Sequence, residues 1–380
     1  ASHLMGAQRQ SWLNRFDLEH ENIRAALEWL ARAGNAEWGL RLGVALQLYW
    51  KEHASPAEGR EFLSALLNRP VAPPRAESSA QTTNPKSAGK KLRANVLTAQ
   101  AGFGIEQGDW AFARKMLEEA LAIYRELDDQ SGVGMALNHL AVVLRDQGDY
   151  AEARSLFMET VRLWQEAGDL VSVAHSTSNL ADVARAQGDF PAALALHQEC
   201  YTIYQQLGDR PGMAWSLNHQ GDVAFEQGDL AAARSLYEQA LATFRELDDK
   251  TGMARTLTDL GNLACYQNAH EKGLPLYSEA LALFAELSET RDVMRVLEGM
   301  ACAAGDAGRC ERALRLAGAA AALRQNFGTP LSSSAKAHLE KKLEAARARL
   351  STGDAARAWM EGSRMTSHAA VEYALRAGQE

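Results

Sequence analysis

The tripeptide Gln-Gly-Asp occurs four times at a spacing of forty residues, and this repeat limits the possible folds more than any other feature. Its copies lie at 107–109, 147–149, 187–189 and 227–229. A fixed period of about 20 to 50 residues is typical of stacked supersecondary units, each covering the apolar face of the next. We therefore predict an all-α fold, a right-handed superhelical solenoid of antiparallel helix pairs. Such a fold offers a binding surface more readily than a catalytic pocket.

Each forty-residue unit is predicted to contain two helices, A and B, each followed by a tight turn. In the unit that starts near Gly132, apolar or small residues recur at the i, i+3, i+4 spacing of one helical face, as in Ala136, Leu140 and Leu144. Gly148 lacks a Cβ atom and can take the left-handed conformation that ends helix A. Asp149 can then cap helix B by accepting its free amide protons. Equivalent turns follow helix B at 167–169, 207–209 and 247–249.

Residues forty apart form columns of similar size, which supports this alignment. The two small columns and the one large column are Ala141, Ala181, Gly221 and Gly261; Ala153, Ala193, Ala233 and Gly273; and Trp164, Tyr204, Phe244 and Phe284. Small residues are expected where two helices approach closely, and large ones in the space between neighbouring helices. From residue 92 to about 290 the pattern resembles that of tetratricopeptide repeat (TPR) proteins, although their usual unit has about 34 residues.

The repeat weakens on both sides of this region. We predict four segments in addition to the main solenoid (92–290). Residues 1–5 indicate a cloning remnant. Residues 6–69 form an N-terminal helical section with a degenerate repeat, and 291–380 form a degenerate repeat followed by two or three capping helices. Residues 70–91 hold four of the nine prolines and almost no large apolar residue, so we predict a flexible linker there.

Composition and motifs argue against most kinds of chemistry. The net charge of −8, without a basic face, argues against nucleic-acid binding by this chain. No apolar run approaches the roughly 20 residues that span a bilayer, and we predict a cytoplasmic protein. The four cysteines lack metal-ligand spacing and are expected to be reduced packing residues. Because no phosphate-binding loop or catalytic motif occurs, we predict no enzymatic activity, no metal and no cofactor.

The candidate site is the face of helix A, which lines the concave side of TPR arrays. Five columns of helix A are predicted to face that side, and their members change from unit to unit. Thirteen of their residues are predicted to bind a partner: Asn138, His139, His175, Asn179, Asp182, Arg185, Trp215, Asn218, His219, Asp222, Phe225, Arg255 and Asn262. Asn is unfavourable inside a helix, so its recurrence along one face lowers helix stability and is not explained by helix propensity.

Two interpretations of this face remain open. In the first, the amides hydrogen-bond the backbone of an extended peptide or a partner's loop, and Trp215 and Phe225 are apolar anchors. In the second, the face is ordinary solvated surface, and some of the amides bond between adjacent A helices. Its histidines could instead bind a metal or sense pH, although one histidine per turn is more typical of polar surface.

The two ends of the chain indicate a more specific family. Residues 13–27, Leu-Asn-Arg-Phe-Asp-Leu-Glu-His-Glu-Asn-Ile-Arg-Ala-Ala-Leu, resemble the segment that follows the nucleotide-binding and winged-helix domains of bacterial STAND-class signal-transduction ATPases. That class includes large LuxR-type and AfsR-like transcriptional regulators. The stretches 316–320, 358–362 and 369–375 are similar to the closing part of their helical sensor region.

This resemblance implies that the chain is the sensor module of a larger regulator whose ATPase lies elsewhere on the polypeptide. Such a sensor restrains the ATPase until a ligand or protein binds. The alternative is a stand-alone TPR adaptor or peptide receptor with no ATPase on the same polypeptide. Residues 13–27 favour the regulator, because an independent adaptor has little use for a junction of that kind.

Overall fold

The computed structural model describes residues 9–32, 36–52, 56–67, 85–287, 290–327, 331 and 333–376. Within these ranges all the regular elements are α-helices, which confirms the predicted all-α solenoid of TPR-like helix pairs. The first ten helices are α1 (Arg9–Leu18), α2 (His20–Arg32), α3 (Ala36–Ala45), α4 (Gln47–Glu52), α5 (Pro56–Leu67), α6 (Pro85–Glu106), α7 (Trp110–Glu126), α8 (Gln130–Gln147), α9 (Tyr150–Ala167) and α10 (Leu170–Ala186). The other ten are α11 (Phe190–Leu207), α12 (Arg210–Gln227), α13 (Leu230–Glu246), α14 (Lys250–Tyr266), α15 (His270–Glu286), α16 (Thr290–Asp306), α17 (Cys310–Phe327), α18 (Ser333–Arg347), α19 (Thr352–Ser363) and α20 (Ser367–Arg376).

The chain divides into two compact units, residues 1–183 and 184–380, with the boundary inside α10. In unit 1, α5 packs on α6, α6 on α7 and α8 on α9. In unit 2 the closest neighbours include α12 with α13, α14 with α15 and α16 with α17. None of the described helices is both long and apolar enough to cross a membrane.

The turns between helices have the local chemistry that the repeat predicts. Gly148 ends α8 with φ of 90°, in the left-handed region. The Asp209 carboxylate accepts from the backbone N–H of Gly212 at 3.0 Å and so caps α12. Asp149 also takes the N-cap position, but its side chain makes no capping hydrogen bond, so that detail of the prediction is wrong. Asp128 and Asp248 hold the left-handed position with φ of 53°.

The size columns correspond to helix packing in both units. Ala141 and Ala153 in unit 1 are fully buried, as are Ala193 and Ala233 in unit 2. The large column is buried as well, from Phe244 with no exposed area to Trp164 with 9%. These residues build the core between neighbouring helices, as predicted.

The N-terminal section of unit 1 is helical, and a degenerate repeat is the prediction for it. Helix α5 presents the buried Gly59 to the rings of Phe103 and Trp50. A Cβ atom at Gly59 would lie 2.8 Å from the Phe103 ring, which explains why this position is even smaller than the alanines of the later repeats. Arg60 then pairs with Asp109 at 2.7 Å and ties α5 to the turn before α7.

Unit 2 closes with three helices, α18, α19 and α20, where two or three were predicted. The backbones of α17 and α19 approach each other at two glycines. A Cβ atom at Gly318 would lie 2.4 Å from the carbonyl oxygen of Trp359, and one at Gly362 only 1.9 Å from that of Arg315. These glycines lie in the stretches 316–320 and 358–362, and the close approach of the two helices explains why both positions are glycine.

The predicted linker, 70–91, is too long at its C-terminal end, because α6 begins at Pro85. Proline suits the first turn of a helix, because an N–H group there would have no partner within the helix. The residues that follow include Lys and Ala, which favour helices. The rest of this segment, 70–84, and the predicted remnant at 1–5 lie outside the described residues.

Candidate functional site

The candidate site residues lie on the first helix of successive pairs, and we call this surface the A-helix face. In unit 1 it belongs to α8 and α10, and in unit 2 to the end of α10 and to α12, α14 and α16. The five predicted residues of unit 1 are Asn138, His139, His175, Asn179 and Asp182. The eight of unit 2 are Arg185, Trp215, Asn218, His219, Asp222, Phe225, Arg255 and Asn262.

In unit 1 the amides of this face bond across neighbouring A helices. The Asn138 Oδ1 atom accepts from Asn179 Nδ2 at 3.4 Å and from Ser176 Oγ at 3.3 Å. Arg145 adds a 3.6 Å ion pair to Asp182 and a 3.4 Å hydrogen bond to Asn179. These contacts match the second interpretation of the Asn columns for Asn138 and Asn179.

The two predicted histidines of unit 1 are partly or fully exposed. His139 interacts through Nδ1 with the carbonyl oxygen of Met135, one turn earlier on α8, at 2.9 Å. His175 is exposed on α10. Both rings therefore remain on the surface, where a partner can reach them.

Asn218 has a similar bridging role in unit 2. It is only 3% exposed, and its Nδ2 donates to Asp259 Oδ2 at 3.1 Å and to Thr256 Oγ1 at 3.4 Å. Because these bonds join α12 to α14 within the unit, the cost of Asn in a helix interior is offset by helix-to-helix bonding. A partner has little access to this amide.

Two tyrosines of unit 2 explain a further pair of predicted residues. The Tyr237 hydroxyl donates to Asp222 Oδ1 at 2.8 Å, and the Tyr277 hydroxyl to Asn262 Oδ1 at 2.6 Å. A Cβ atom at Gly221 would lie 2.6 Å from the Tyr237 ring, so glycine makes room for the ring.

The same positions in unit 1 carry a smaller set of groups. There Ala141 stands opposite Phe157, and the position of the hydroxyl acceptor is held by Val142. In the repeat between them, Ala181, His197 and Asp182 hold the three positions, so a polar acceptor is already present before glycine and tyrosine appear.

Trp215 is the centre of an aromatic group on α12. Its ring centroid lies 4.9 Å from that of Phe244 and 6.1 Å from that of His219, and the Arg255 guanidinium carbon is 5.7 Å from it. His197 stacks on His219 with a centroid distance of 5.2 Å. Trp215 and His219 are the half-buried members of this group, and the Arg255 guanidinium lies beside them, whereas Phe244 and His197 are buried.

Two carboxylates beside this group have opposite electrostatic responses. Burial favours the neutral form of Asp222, but its hydrogen bond to His219 and the charge of that ring outweigh burial and hold the pKa of Asp222 below its usual value. Burial and the neighbouring charge of Asp222 together raise the pKa of Asp259 to about 7. Near neutral pH one carboxylate is therefore ionised and the other is partly protonated.

Charged side chains surround these carboxylates. Arg185 pairs with Glu226, and Asp292 of α16 receives both Arg255 and Arg295, each at 3.3 Å. Asp292 is buried, but the three arginines are partly exposed, so the pairs contribute little to stability and leave the guanidinium groups accessible to a partner.

A cleft of about 480 Å³ lies next to Phe225 in unit 2. Phe225 and Tyr266 form part of its wall with their rings edge to face at 5.2 Å, and Tyr266 is 65% exposed. Its other lining groups include Cys265, Cys302, Arg295 and Lys342. Burial raises the pKa of the Cys302 thiol to about 11, so the thiol is neutral at physiological pH. The cleft can take an apolar side chain and has cationic groups at its edge.

The structure brings some predicted residues together and uses others inside the protein. Trp215, His219 and Arg255 form one accessible group, and Phe225 lines the cleft, whereas Asn138 and Asn218 hold A helices together. Sequence reasoning did not select Asp259, Arg295 or Tyr266. Asp259 stands in a column already identified, but its pairing with Asn218 depends on a distance between helices that no spacing gives. No group of three or more potential metal ligands occurs among the described residues.

Comparisons with known proteins agree with the fold. Residues 92–166 and 170–246 match the profile of the tetratricopeptide repeat family. No curated protein matches the chain. Among solved structures, the chain is similar to a STAND protein with a tetratricopeptide repeat sensor from Pyrococcus horikoshii, with 15% identity and a TM-score of 0.52 over 99% of this chain and 56% of that one.

Two further structures share this fold. A Rap protein complexed with Competence and Sporulation Factor is 13% identical, with a TM-score of 0.53 over 89% of this chain and 99% of that one. Aspartyl phosphate phosphatase F from Bacillus subtilis is 11% identical, with a TM-score of 0.54 over 82% of this chain and 71% of that one. At these identities the likeness shows the fold alone. The match of residues 92–166 and 170–246 to the tetratricopeptide repeat model agrees with the resemblance stated for residues 92 to about 290.

Proposed function

We propose that the A-helix face of unit 2 binds an extended segment of a peptide or protein partner. The observation that carries this proposal is the cleft of about 480 Å³ beside the edge-to-face pair of Phe225 and Tyr266. An aromatic side chain as exposed as that of Tyr266, next to a cleft, is typical of an anchor in a protein interface. A partner's apolar side chain enters the cleft, and Trp215 and Arg255 contact the segment further along the face.

Polar groups on this face fix the direction of the bound segment. Asn262 is exposed, and its Oδ1 accepts from Tyr277, which orients its Nδ2 as a donor toward a partner's carbonyl group. His219, Asp222 and Arg185 offer further polar contacts. The amide of Asn218 holds α12 and α14 at the spacing this arrangement needs, and that of Asn138 joins α8 to α10 within unit 1. In unit 1, His139, His175, Asn179 and Asp182 form a second, more polar contact surface.

We further propose that the chain is the sensor of a STAND-class transcriptional regulator in the bacterial cytoplasm. The N-terminal resemblance at 13–27 and the fold likeness over 99% of this chain support this context. A partner that binds one conformation of the repeats better than another shifts their equilibrium by its differential affinity, and the shift controls the ATPase on the same polypeptide. The alternative is a stand-alone peptide receptor, which the fold likeness over 99% of the Rap chain supports.

Selected peptides test the face directly. Peptides are selected from a displayed random library on the wild-type chain and then measured against Tyr266→Ala and Trp215→Ala by fluorescence anisotropy. Truncation of an aromatic anchor costs about 2 kcal/mol, or roughly thirtyfold in affinity. Met158→Ala, which alters an exposed apolar side chain of α9, is the matched control and leaves affinity unchanged. Peptides that bind both aromatic variants as well as the wild type refute the assignment of the face.

The parent context has a separate test. An antibody raised against the chain is used to probe lysate of the source organism, and the native mass is compared with 41.4 kDa. A much larger native polypeptide that hydrolyses ATP at a rate changed by the selected peptides supports the sensor. A native mass near 41.4 kDa refutes it and leaves the stand-alone receptor.

A further inference from the structure

A second cleft, of about 660 Å³, lies among α17, α20 and the segment after α18 in unit 2, and its walls are strongly basic. Among the described residues that line it are five arginines, Arg309, Arg312, Arg315, Arg349 and Arg376, and one carboxylate, that of Glu311. This concentration of positive charge is unexpected in a chain whose net charge is −8. Clefts lined by one sign of charge focus the field and raise the local concentration of the opposite ion.

Neighbouring carboxylates neutralise only part of this charge. Arg315 pairs with Glu311 at 2.8 Å and with Glu361 at 2.6 Å, and Arg376 pairs with Glu372 at 3.3 Å. By contrast, neither Arg309 nor Arg349 forms an ion pair with a side chain of the described residues. Both are exposed at the cleft, so two guanidinium groups remain available to a ligand.

The buried guanidinium of Arg312 gives the cleft a fixed wall. Arg312 is 8% exposed, its Nη2 donates to the carbonyl oxygen of Ala374 at 2.9 Å, and it lies 5.4 Å from the centre of the Tyr373 ring. Because this side chain is already held in place, it loses little conformational entropy when a ligand binds.

The N-terminus of α17 adds to the positive potential of the cleft. At several earlier joints the N-cap residue is an aspartate whose carboxylate accepts from the first turn of the next helix, as Asp229 does at 3.0 Å. At α17 the N-cap position is Arg309, whose N–H donates to Ala304 O at 2.8 Å and whose carbonyl accepts from Ala313 at 3.0 Å. An arginine side chain has no acceptor, so it cannot cap these amides. The partial positive charge of this 18-residue helix is therefore directed at the same space as the arginines.

We propose that this cleft binds the phosphate group of a small phosphorylated molecule. Phosphate matches the fork of N–H donors on Arg309 and Arg349, and the amides at the start of α17 complete its contacts. A cavity of this size holds a small molecule, whereas a nucleic-acid strand requires an extended basic track. The lining residues are separate from those of the A-helix face, so this site does not depend on the peptide-binding proposal.

The test uses ribose 5-phosphate as the probe, with the full chain, in isothermal titration calorimetry at pH 7.5 and constant ionic strength. One site per chain is expected. Arg309→Gln with Arg349→Gln lowers the affinity by about tenfold for each charge-assisted hydrogen bond that is removed. The matched control replaces Arg114 and Arg162, surface arginines of α7 and α9, with Gln and leaves the affinity unchanged. Both double variants keep the circular dichroism spectrum and thermal midpoint of the wild type, since all four side chains are on the surface.

Three further measurements distinguish phosphate recognition from other causes. Unphosphorylated ribose is not expected to bind. Affinity for ribose 5-phosphate falls as the pH is lowered from 7.5 to 5, because the phosphate loses its second charge near pH 6 or so. If ribose 5-phosphate gives no saturable heat up to about 10 mM, the proposal is overturned. Equal affinity for the Arg309/Arg349 double variant, or tight binding of a uridine oligonucleotide without binding of ribose 5-phosphate, also overturns it.

Discussion

The close approach of α17 and α19 makes Gly362→Ala the substitution whose effect follows most directly from the structure. The added methyl group would lie 1.9 Å from the carbonyl oxygen of Arg315 and 2.7 Å from its carbonyl carbon. Both atoms belong to the backbone, so no change of side-chain rotamer can relieve the clash. To restore ordinary van der Waals distance, the two helices must separate by about 1.5 Å at this point.

The expected cost combines two opposing effects. Overpacking in a well-packed core costs about 1–3 kcal/mol, and a clash with backbone belongs at the upper end of that range. Alanine instead of glycine favours the helix itself by about 1 kcal/mol. The net loss is therefore about 2 kcal/mol, which corresponds to a decrease of roughly 4–8 °C in the thermal midpoint of a unit of this size.

Gly353→Ala in the same helix is the matched control. An added Cβ atom at Gly353 would have only Ser351 Oγ within 4 Å, at 3.9 Å, so this variant is as stable as the wild type or slightly more stable. Differential scanning calorimetry gives the midpoints. Hydrogen exchange of the α17 and α19 amides shows whether the loss is local, as it must be if the two helices separate. Equal midpoints for Gly362→Ala and Gly353→Ala would refute the packing argument.

Three other substitutions have expected outcomes. Asp248→Gly relieves a left-handed aspartate (φ 53°) and raises the free energy of unfolding by about 0.5–1 kcal/mol in urea denaturation; a decrease contradicts this. Gly221→Ala places a Cβ atom 2.6 Å from the Tyr237 ring and lowers that free energy by about 1–3 kcal/mol, whereas Gly102→Ala, with nothing within 4 Å, does not lower it. The pKa of Asp259 is about 7 in the folded protein and near 4 in the unfolded chain, so between these pH values the folded protein binds more protons. The free energy of unfolding therefore falls as the pH rises from 5 to 8. Asp259→Asn reduces this fall in urea midpoints measured across that range; an unchanged slope contradicts the assignment.

Much of the fold could be predicted because its determinants are local in sequence. A glycine and an aspartate within one tripeptide decide where a helix ends and where the next begins, and the spacing of Ala141 and Ala153 shows which faces pack. The start of α6 was missed because the composition of 70–91 as a whole indicated a linker, although Pro85 is a favourable first residue for a helix.

The candidate site was harder to predict because its chemistry depends on distances between helices. Whether Asn218 faces a partner or bonds Asp259 is decided by the separation of α12 and α14, which no repeat column specifies. One signal was available: Gly221 replaces alanine where Tyr237 replaces Phe157, and the paired change indicates contact. The raised pKa of Asp259 arises from burial and from Asp222 together, and neither can be read from composition.

The joints between helices determine how a chain of this kind can lengthen. From Asp109 to Asp249 an aspartate recurs at every twentieth residue, and each joint is specified by a few neighbouring residues of the chain. A duplicated segment of forty residues between two such joints contains the residues that end and begin its own helices. It therefore adds one helix pair, with its own surface, and leaves the other repeats unchanged. Downstream, Ala269 and Arg309 occupy the corresponding positions. The gain or loss of whole repeats is therefore expected to be tolerated between Asp109 and Asp249, and much less so in the helices that follow.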